Sequence, residues 1–345
     1  MIMVSFLKWL RKRLFGISLQ EATFAKRGFL EGDAGLRQRL EQIGQIFLLG
    51  YQAALNDDRP EGLVRQLNAI EIELRGFAFE GSAMGLALLD GLTPWPWKRN
   101  RVQSFLKGAG SEYAYMVYVG VGWALARLPW GIEWYLAQLN KTLSATLSPS
   151  HRERCWGMEG DIDPVLGWLA LDGYGFHQGY FDWRRYIQGM AIPPRLFGYA
   201  CRVFDQGLGR SLWFVKGADV RRIHHAIENF SPSRRADLWS GVGLACAYAG
   251  GVERAVIEAL QVAAQPYWSE LSQGAAFAAK SRQRAGNLTA HTEVACQVLC
   301  AMSAEAAAGI TDRMLEDLHP DGANPAYEVW RQRIQAQFVA VQVNP

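Results

Sequence analysis

The chain has little excess charge of either sign. Its 345 residues carry 36 Lys and Arg against 33 Asp and Glu, a formal net charge of +3. A nucleic-acid surface needs many more cations gathered on one face, so no nucleic-acid partner is expected. Cysteine is sparse: Cys155, Cys201, Cys246, Cys296 and Cys300 are five in all, and their odd number leaves at least one unpaired within the chain. No CxxC pair occurs and only Cys296 and Cys300 are close, which indicates neither a disulfide framework nor a structural zinc site. The expectation is reduced, buried thiols in a cytoplasmic protein. Motifs that announce chemistry are also missing: no HExxH, no GxxxxGK[ST], no GxSxG and no strand followed by GxGxxG, so nothing calls for a metal or a cofactor. Asp161-Ile162-Asp163 is the nearest approach to an aspartate-rich cyclase motif, and Asn56-Asp57-Asp58 reads as a turn. No uncharged run approaches the roughly twenty residues of a membrane span.

Apolar residues and aromatics, by contrast, are abundant. Half of the residues are hydrophobic, with 13 Trp, 12 Tyr and 16 Phe, a globular balance that can fill a large core or line an apolar pocket. The apolar positions recur every three to four residues and convincing alternation is absent, so the fold class is all-α. The spacing predicts helices over 38–55, 61–74, 81–89, 111–127, 132–143, 165–181, 196–215, 219–229, 234–249, 252–264, 266–284 and 289–307. Asp219, Ser233 and Thr289 stand where N-caps belong. Leu92 to Trp97 reads as a stiff, proline-bearing connector, and Leu147 to Asp163 is the longest irregular stretch. Residues 1–16 mix Phe6, Leu7, Trp9, Leu10, Leu14 and Phe15 with Lys8, Arg11, Lys12 and Arg13. The cations interrupt what would otherwise be a signal-peptide core. The segment is expected as an amphipathic basic helix, which either packs on its own protein or lies on an anionic membrane or a partner.

Two halves of the sequence resemble each other. RGFAFEGSAMGLALLDG, from Arg75, aligns without a gap on RADLWSGVGLACAYAGG, from Arg235. Upstream, Ile46-Phe47 and Gly50 echo Val203-Phe204 and Gly207. Downstream, Gly120 to Ala126 echo Gly274 to Lys280. The matches keep their order at offsets of 160, 157 and 154 residues. The expected organisation is an amphipathic helix at 1–16, a first helical repeat at 28–145, a connector at 146–195 and a second repeat at 196–340, the repeats related by a pseudo-two-fold axis. Gly81, Ala83, Gly85 and Ala87 correspond to Gly241, Gly243, Ala245 and Ala247. Small residues at helical spacing serve close packing or leave room for a ligand, and Gly81–Asp90 is expected to face Gly241–Gly250.

The densest candidate site is Asp172-Gly-Tyr174-Gly-Phe176-His177-Gln178-Gly-Tyr180. Glycines admit close approach, rings make apolar walls, and His177 is an acid or base near neutral pH, a metal ligand beside nearby carboxylates, or a hydrogen-bonded core residue. A second segment supplies Asp205, Gln206, Arg210 and Trp213, in which Asp205 and Arg210 form either an ion pair or part of a binding site. Glu80, inside the first small-residue block, needs a partner such as Arg75 or Arg235 if buried, and Trp239 occupies the second block. On this reading His177, Asp172, Asp205 and Arg210 are the candidate catalytic groups. Tyr174, Phe176, Gln178, Tyr180, Gln206, Trp213, Glu80 and Trp239 are the candidate ligand contacts. The His224-His225 pair looks ordinary, since neighbours in a helix point to different faces.

DGYGFHQGYF, FDQGLGRSLWF, RRADLWSGVGLACAYAGG and GFAFEGSAMGLALLDG together resemble a family of unknown function associated with bacterial enediyne biosynthesis, over roughly residues 28–333. The resemblance implies a place in gene clusters for enediynes and related polyketides, beside a polyene-forming polyketide synthase, a multi-pass membrane protein and a propeller protein. It carries no assigned reaction and no catalytic residue, and the basic N-terminal helix lies outside its pattern. What it leads one to expect is an accessory protein that binds, and converts or merely shelters, an apolar polyene intermediate in a helical cavity. The alternative is a non-catalytic scaffold for a membrane-bound partner, peripheral to the inner membrane through residues 1–16. Conversion, if it occurs, would be isomerisation, cyclisation or desaturation by proton transfer.

Overall fold

The computed structural model describes residues 2–93, 100–145, 162–321 and 324–343. Pro94 to Trp97, residues 147–161 of the irregular stretch, Cys155 and Asp161 lie outside the described residues. The protein is all-helical, and no strand occurs among the described residues. The helices are α1 (Ile2–Phe15), the single turn α2 (Phe24–Arg27), α3 (Ala34–Asn56), α4 (Pro60–Asn68), α5 (Ile72–Leu92), α6 (Arg101–Lys107), α7 (Ala114–Leu125), α8 (Gly131–Ala145), α9 (Leu169–Phe181), α10 (Tyr199–Val215), α11 (Val220–Glu228), α12 (Pro232–Ala249), α13 (Arg254–Ala263), α14 (Trp268–Arg284), α15 (Ala290–Leu299), α16 (Ala304–Arg313) and α17 (Ala326–Val343). Two compact units share the chain. The first comprises 1–26 and 42–174, the second 27–41 and 175–345.

The first unit is organised around α5, buried almost throughout from Leu74 to Asp90. Its neighbours approach to backbone distance. A methyl group at Gly81 would land on the carbonyl oxygen of Phe47 in α3, one at Gly50 on that of Ala78, and one at Gly120 of α7 on that of Glu80. Any side chain there would push the helices apart, so glycine's helix cost of about 1 kcal/mol is offset by contact along whole helices. α7, buried along its full length, meets the first half of α9 in the same way, with Gly173 against the Val119 carbonyl.

The second unit repeats the device around α12. Gly241 lies on the Gln206 carbonyl of α10, Gly209 on that of Leu238, and Gly274 of α14 on that of Ser240. The turns before the central helices also correspond. Arg75 donates to the carbonyls of Asn68 and Ile70, and Arg235 donates to those of Glu228 and Phe230. These carbonyls end α4 and α11, which explains why the expected helix over 61–74 is broken after Asn68.

Other expectations shift in detail. Asp219 and Thr289 cap their helices, accepting from the amides of Arg222 and Thr292. α12 starts two residues before the expected Ser233 cap, with Ser231 as N-cap and Pro232 at the first helical position, where a missing N–H costs nothing. The expected helix 289–307 is two helices. Ala301 takes a left-handed conformation between them, and Ser303 caps the second. α17 went unanticipated, although Tyr327, Trp330, Ile334 and Phe338 are buried at three- and four-residue spacing.

The close approach makes a direct prediction. Gly241→Ala should destabilise the protein by at least about 2 kcal/mol through overpacking, measured by urea denaturation. Gly286→Ala, in an open left-handed position, should cost only about 1 kcal/mol. Equal losses would overturn the close-packing account.

Candidate functional site

The glycine- and ring-rich motif forms α9, and its glycines serve helix contact. Gly173 abuts α7, and Gly175 would collide with the Phe204 carbonyl of α10 if it bore a side chain. In the first unit, Asp172 and Tyr174 are buried. In the second, Phe176 packs on Phe214 with ring centroids 5.5 Å apart, and the Arg210 guanidinium lies 4.8 Å over its face. Tyr180 meets Phe29 edge-on at 4.9 Å. His177 and Gln178 are half-buried, and the imidazole lies 4.8 Å from the Phe181 ring. Asp172 precedes His177 by five residues, about 140° around the helix, and so on a different face.

The α10 residues are likewise shared among different neighbours. Asp205 accepts from Arg234 at 2.8 and 2.5 Å, so the ion pair anticipated with Arg210 is made with Arg234. Arg234 also donates to the Met190 carbonyl at 2.6 Å. Burial pushes the Asp205 carboxyl up to about 6, against the pull of Arg234. Gln206 bonds the Tyr327 hydroxyl at 3.2 Å, and the Trp213 indole donates to the Gly250 carbonyl at 3.3 Å. In the first unit Glu80 accepts from the Trp123 indole at 2.9 Å, in place of the arginine the sequence suggested. Arg75 and Arg235 are engaged by the carbonyls named above.

Two charge networks escaped the sequence reading because their members come from distant segments. In the second unit, the fully buried Arg331 reaches Asp237 at 2.8 Å and Glu328 at 3.2 Å. Arg202 grips the same carboxylates at 2.9 and 2.6 Å, and the Tyr199 hydroxyl donates to Glu328. Burial disfavours a charge on Arg331, but Asp237, Tyr199 and Glu328 outweigh it and hold the guanidinium charged. In the first unit Arg101 joins Asp90 at 3.0 Å to Asp58 at 2.7 Å, and Arg11 approaches Asp58 at 3.4 Å. Burial raises Asp90 to about 6. These are closed networks, with carboxylates matched by guanidinium groups.

Open space lies elsewhere. In the second unit a groove of 790 Å³ runs between the segment Gly32–Leu36, the first turns of α11 and the outer face of α13. Val252, Val256, Ala259 and Val262 supply apolar wall, while Arg221 and His224 bring polar groups. None of the sequence-predicted site residues lines it. Trp239 packs behind His224 with ring centroids 6.3 Å apart, and the Trp213 carbonyl accepts the amide of the lining residue Ala218 at 2.8 Å. The sequence signal available was a run of small residues on α13, Ala255, Ala259 and Ala263, facing outward where a surface helix usually carries charge. Among the described residues, no three His, Cys, Asp or Glu gather so as to hold a metal ion. Cys246, Cys296 and Cys300 are buried free thiols.

A family model matches residues 6–338, nearly the whole chain. The chain belongs to the family described as "Protein of unknown function (DUF1702)". No curated protein and no solved structure matches it. The match begins inside α1, so the DUF1702 region takes in most of the basic N-terminal helix.

The buried charges of this DUF1702 protein tie stability to composition and pH. Arg331→Met should destabilise it by about 3 kcal/mol or more in chemical denaturation, because two buried carboxylates lose a partner. Asp205 ionises at a higher pH in the fold than its ordinary 3.8. The folded state therefore holds more protons than the unfolded chain between 3.8 and about 6, and stability contributed by this group falls as pH rises through that window. Asp205→Asn should flatten that slope in thermal melts at a series of pH values. An unchanged slope would remove Asp205 from the account.

Proposed function

We propose that this protein binds an elongated apolar molecule in the groove of its second unit. The carrying observation is the groove itself: its volume falls within the roughly 300–1,000 Å³ of ordinary ligand sites, and small apolar side chains form most of its wall. With the likeness to enediyne-associated proteins, the reading is an accessory protein of polyketide biosynthesis whose ligand is a polyene intermediate. Binding is favoured over conversion, because His177, Asp172, Asp205 and Arg210 lie outside the groove lining.

The proposal includes descent of the two units from one duplicated helical unit about a pseudo-two-fold. Its support is the agreement of glycine-to-carbonyl contacts at positions 81 and 241, 50 and 209, and 120 and 274, with the matching arginine caps at 75 and 235. By these contacts Gly50 pairs with Gly209, two residues beyond the Gly207 that the alignment set opposite it.

A second reading concerns α1. Trp9 is 53% and Leu14 61% exposed beside the exposed Lys12 and Arg13, and α1 contains no acidic residue. Such a surface suits peripheral attachment to an anionic membrane or a membrane-bound partner. No single helix among the described residues is long and apolar enough to cross a membrane.

Native mass spectrometry with an ultraviolet–visible scan, after co-expression with a polyene-forming synthase, should show a bound mass and a polyene band. Ala259→Trp, which fills the groove from an exposed helical position, should abolish both. Retention of ligand by Ala259→Trp would exclude the groove. Trp9→Glu with Leu14→Glu should remove the protein from sedimenting anionic vesicles, and unchanged sedimentation would exclude α1 as the attachment.

A further inference from the structure

We infer that the groove selects an apolar chain ending in an anionic group, a carboxylate, held by Arg221 and His224. This deepens the binding reading above and rests on it. The argument is a census of the groove's polar atoms. Asp219 is committed: one carboxylate oxygen accepts the Arg222 amide at 3.0 Å and the other lies 3.5 Å from the Arg222 guanidinium. Asp33 caps the opposite segment, accepting the Leu36 amide at 2.9 Å. Both acids of the lining therefore serve helix starts.

The donors are differently placed. Arg221 makes no ion pair or side-chain hydrogen bond among the described residues, and its neighbour Arg222 is the one engaged by Asp219 and the Glu31 carbonyl. His224 lies 3.6 Å from Glu228 through Nδ1, and in the imidazolium form its Nε2–H is left to donate to a ligand. Its ring rests against the buried Trp239, which limits its rotation. Arg221 and His224 are three residues apart on α11 and hence share a face. Two donors on one helical face, at the side of an otherwise apolar groove, match a carboxylate on a hydrocarbon tail: the guanidinium gives charge-assisted hydrogen bonds and the imidazole a further one. A neutral polyene would leave both donors without a ligand contact.

The test compares a long-chain conjugated tetraenoic acid with its methyl ester by fluorescence titration of the full chain. The acid should bind at least about tenfold tighter than the ester. Arg221→Gln, a change at an exposed position, should cut the acid's advantage over the ester severalfold, with the His224 contact retained, and leave the ester unchanged, while Ala259→Trp should abolish both. Equal binding of acid and ester, both lost in Ala259→Trp, would overturn the carboxylate inference and leave the groove reading standing. An acid preference undiminished in Arg221→Gln would also overturn it. Failure of both probes to bind, or binding insensitive to Ala259→Trp, would overturn the groove reading itself.

Discussion

The approach of helix backbones to within a hydrogen atom of one another is the constraint on which the rest of this structure depends. At Gly81, Gly120, Gly241 and Gly274 the facing carbonyl oxygen stands where a Cβ would be. Helices this close bury all of α7 and most residues of α5, α12 and α14, polar ones included. Each ionisable group on these helices then needs a partner inside the protein, because water is not available to solvate it. Glu80 finds the Trp123 indole, Asp90 finds Arg101, and Asp237 finds Arg331 and Arg202. The charge networks are thus consequences of tight packing.

Small residues carry opposite meanings in this chain. On α12, Gly241, Gly243, Ala245 and Ala247 are buried contacts with neighbouring helices. On α13, Ala255 and Ala259 are exposed, and Val262 is 70% exposed. The first pattern brings helices together, and the second leaves an apolar surface that water covers at a cost of roughly 25 cal/mol per Å². Composition alone cannot tell the two apart, because both read as small and apolar at helical spacing.

That ambiguity marks the limit of what the sequence disclosed. The fold class and most helices followed from periodicity, since an amphipathic or wholly buried helix writes its spacing locally. The break after Asn68 did not, because it depends on an arginine turning back to two carbonyls. The Arg331 network did not either: Arg202, Asp237 and Arg331 lie tens of residues apart, and nothing in their local surroundings forecasts their meeting. The α9 motif looked like a site because glycine, aromatic and histidine were concentrated in it. Gly173 and Gly175 lie against neighbouring helices, and Phe176 and Tyr180 pack with Phe214 and Phe29. His224 was passed over because adjacent histidines point to different faces of a helix; its ring lies between Trp239 and the groove.

One pair of positions shows how the two units differ while using the same contact. Gly120 faces the Glu80 carbonyl, and Gly274 faces the Ser240 carbonyl. Three residues further along those helices stand Trp123 and Phe277. Trp123 has an indole N–H, and a buried glutamate opposite accepts it. Phe277 has no donor to offer, and the position opposite holds a serine, whose hydroxyl turns to Gln273 at 2.9 Å. A carboxylate at 240 would lose the donor that makes position 80 tolerable, at a desolvation penalty of several kcal/mol. The polar residue and the ring across from it therefore differ together between the units. Where the same backbone contact occurs at two sites, a buried charge is tolerated only at the one that also supplies its partner.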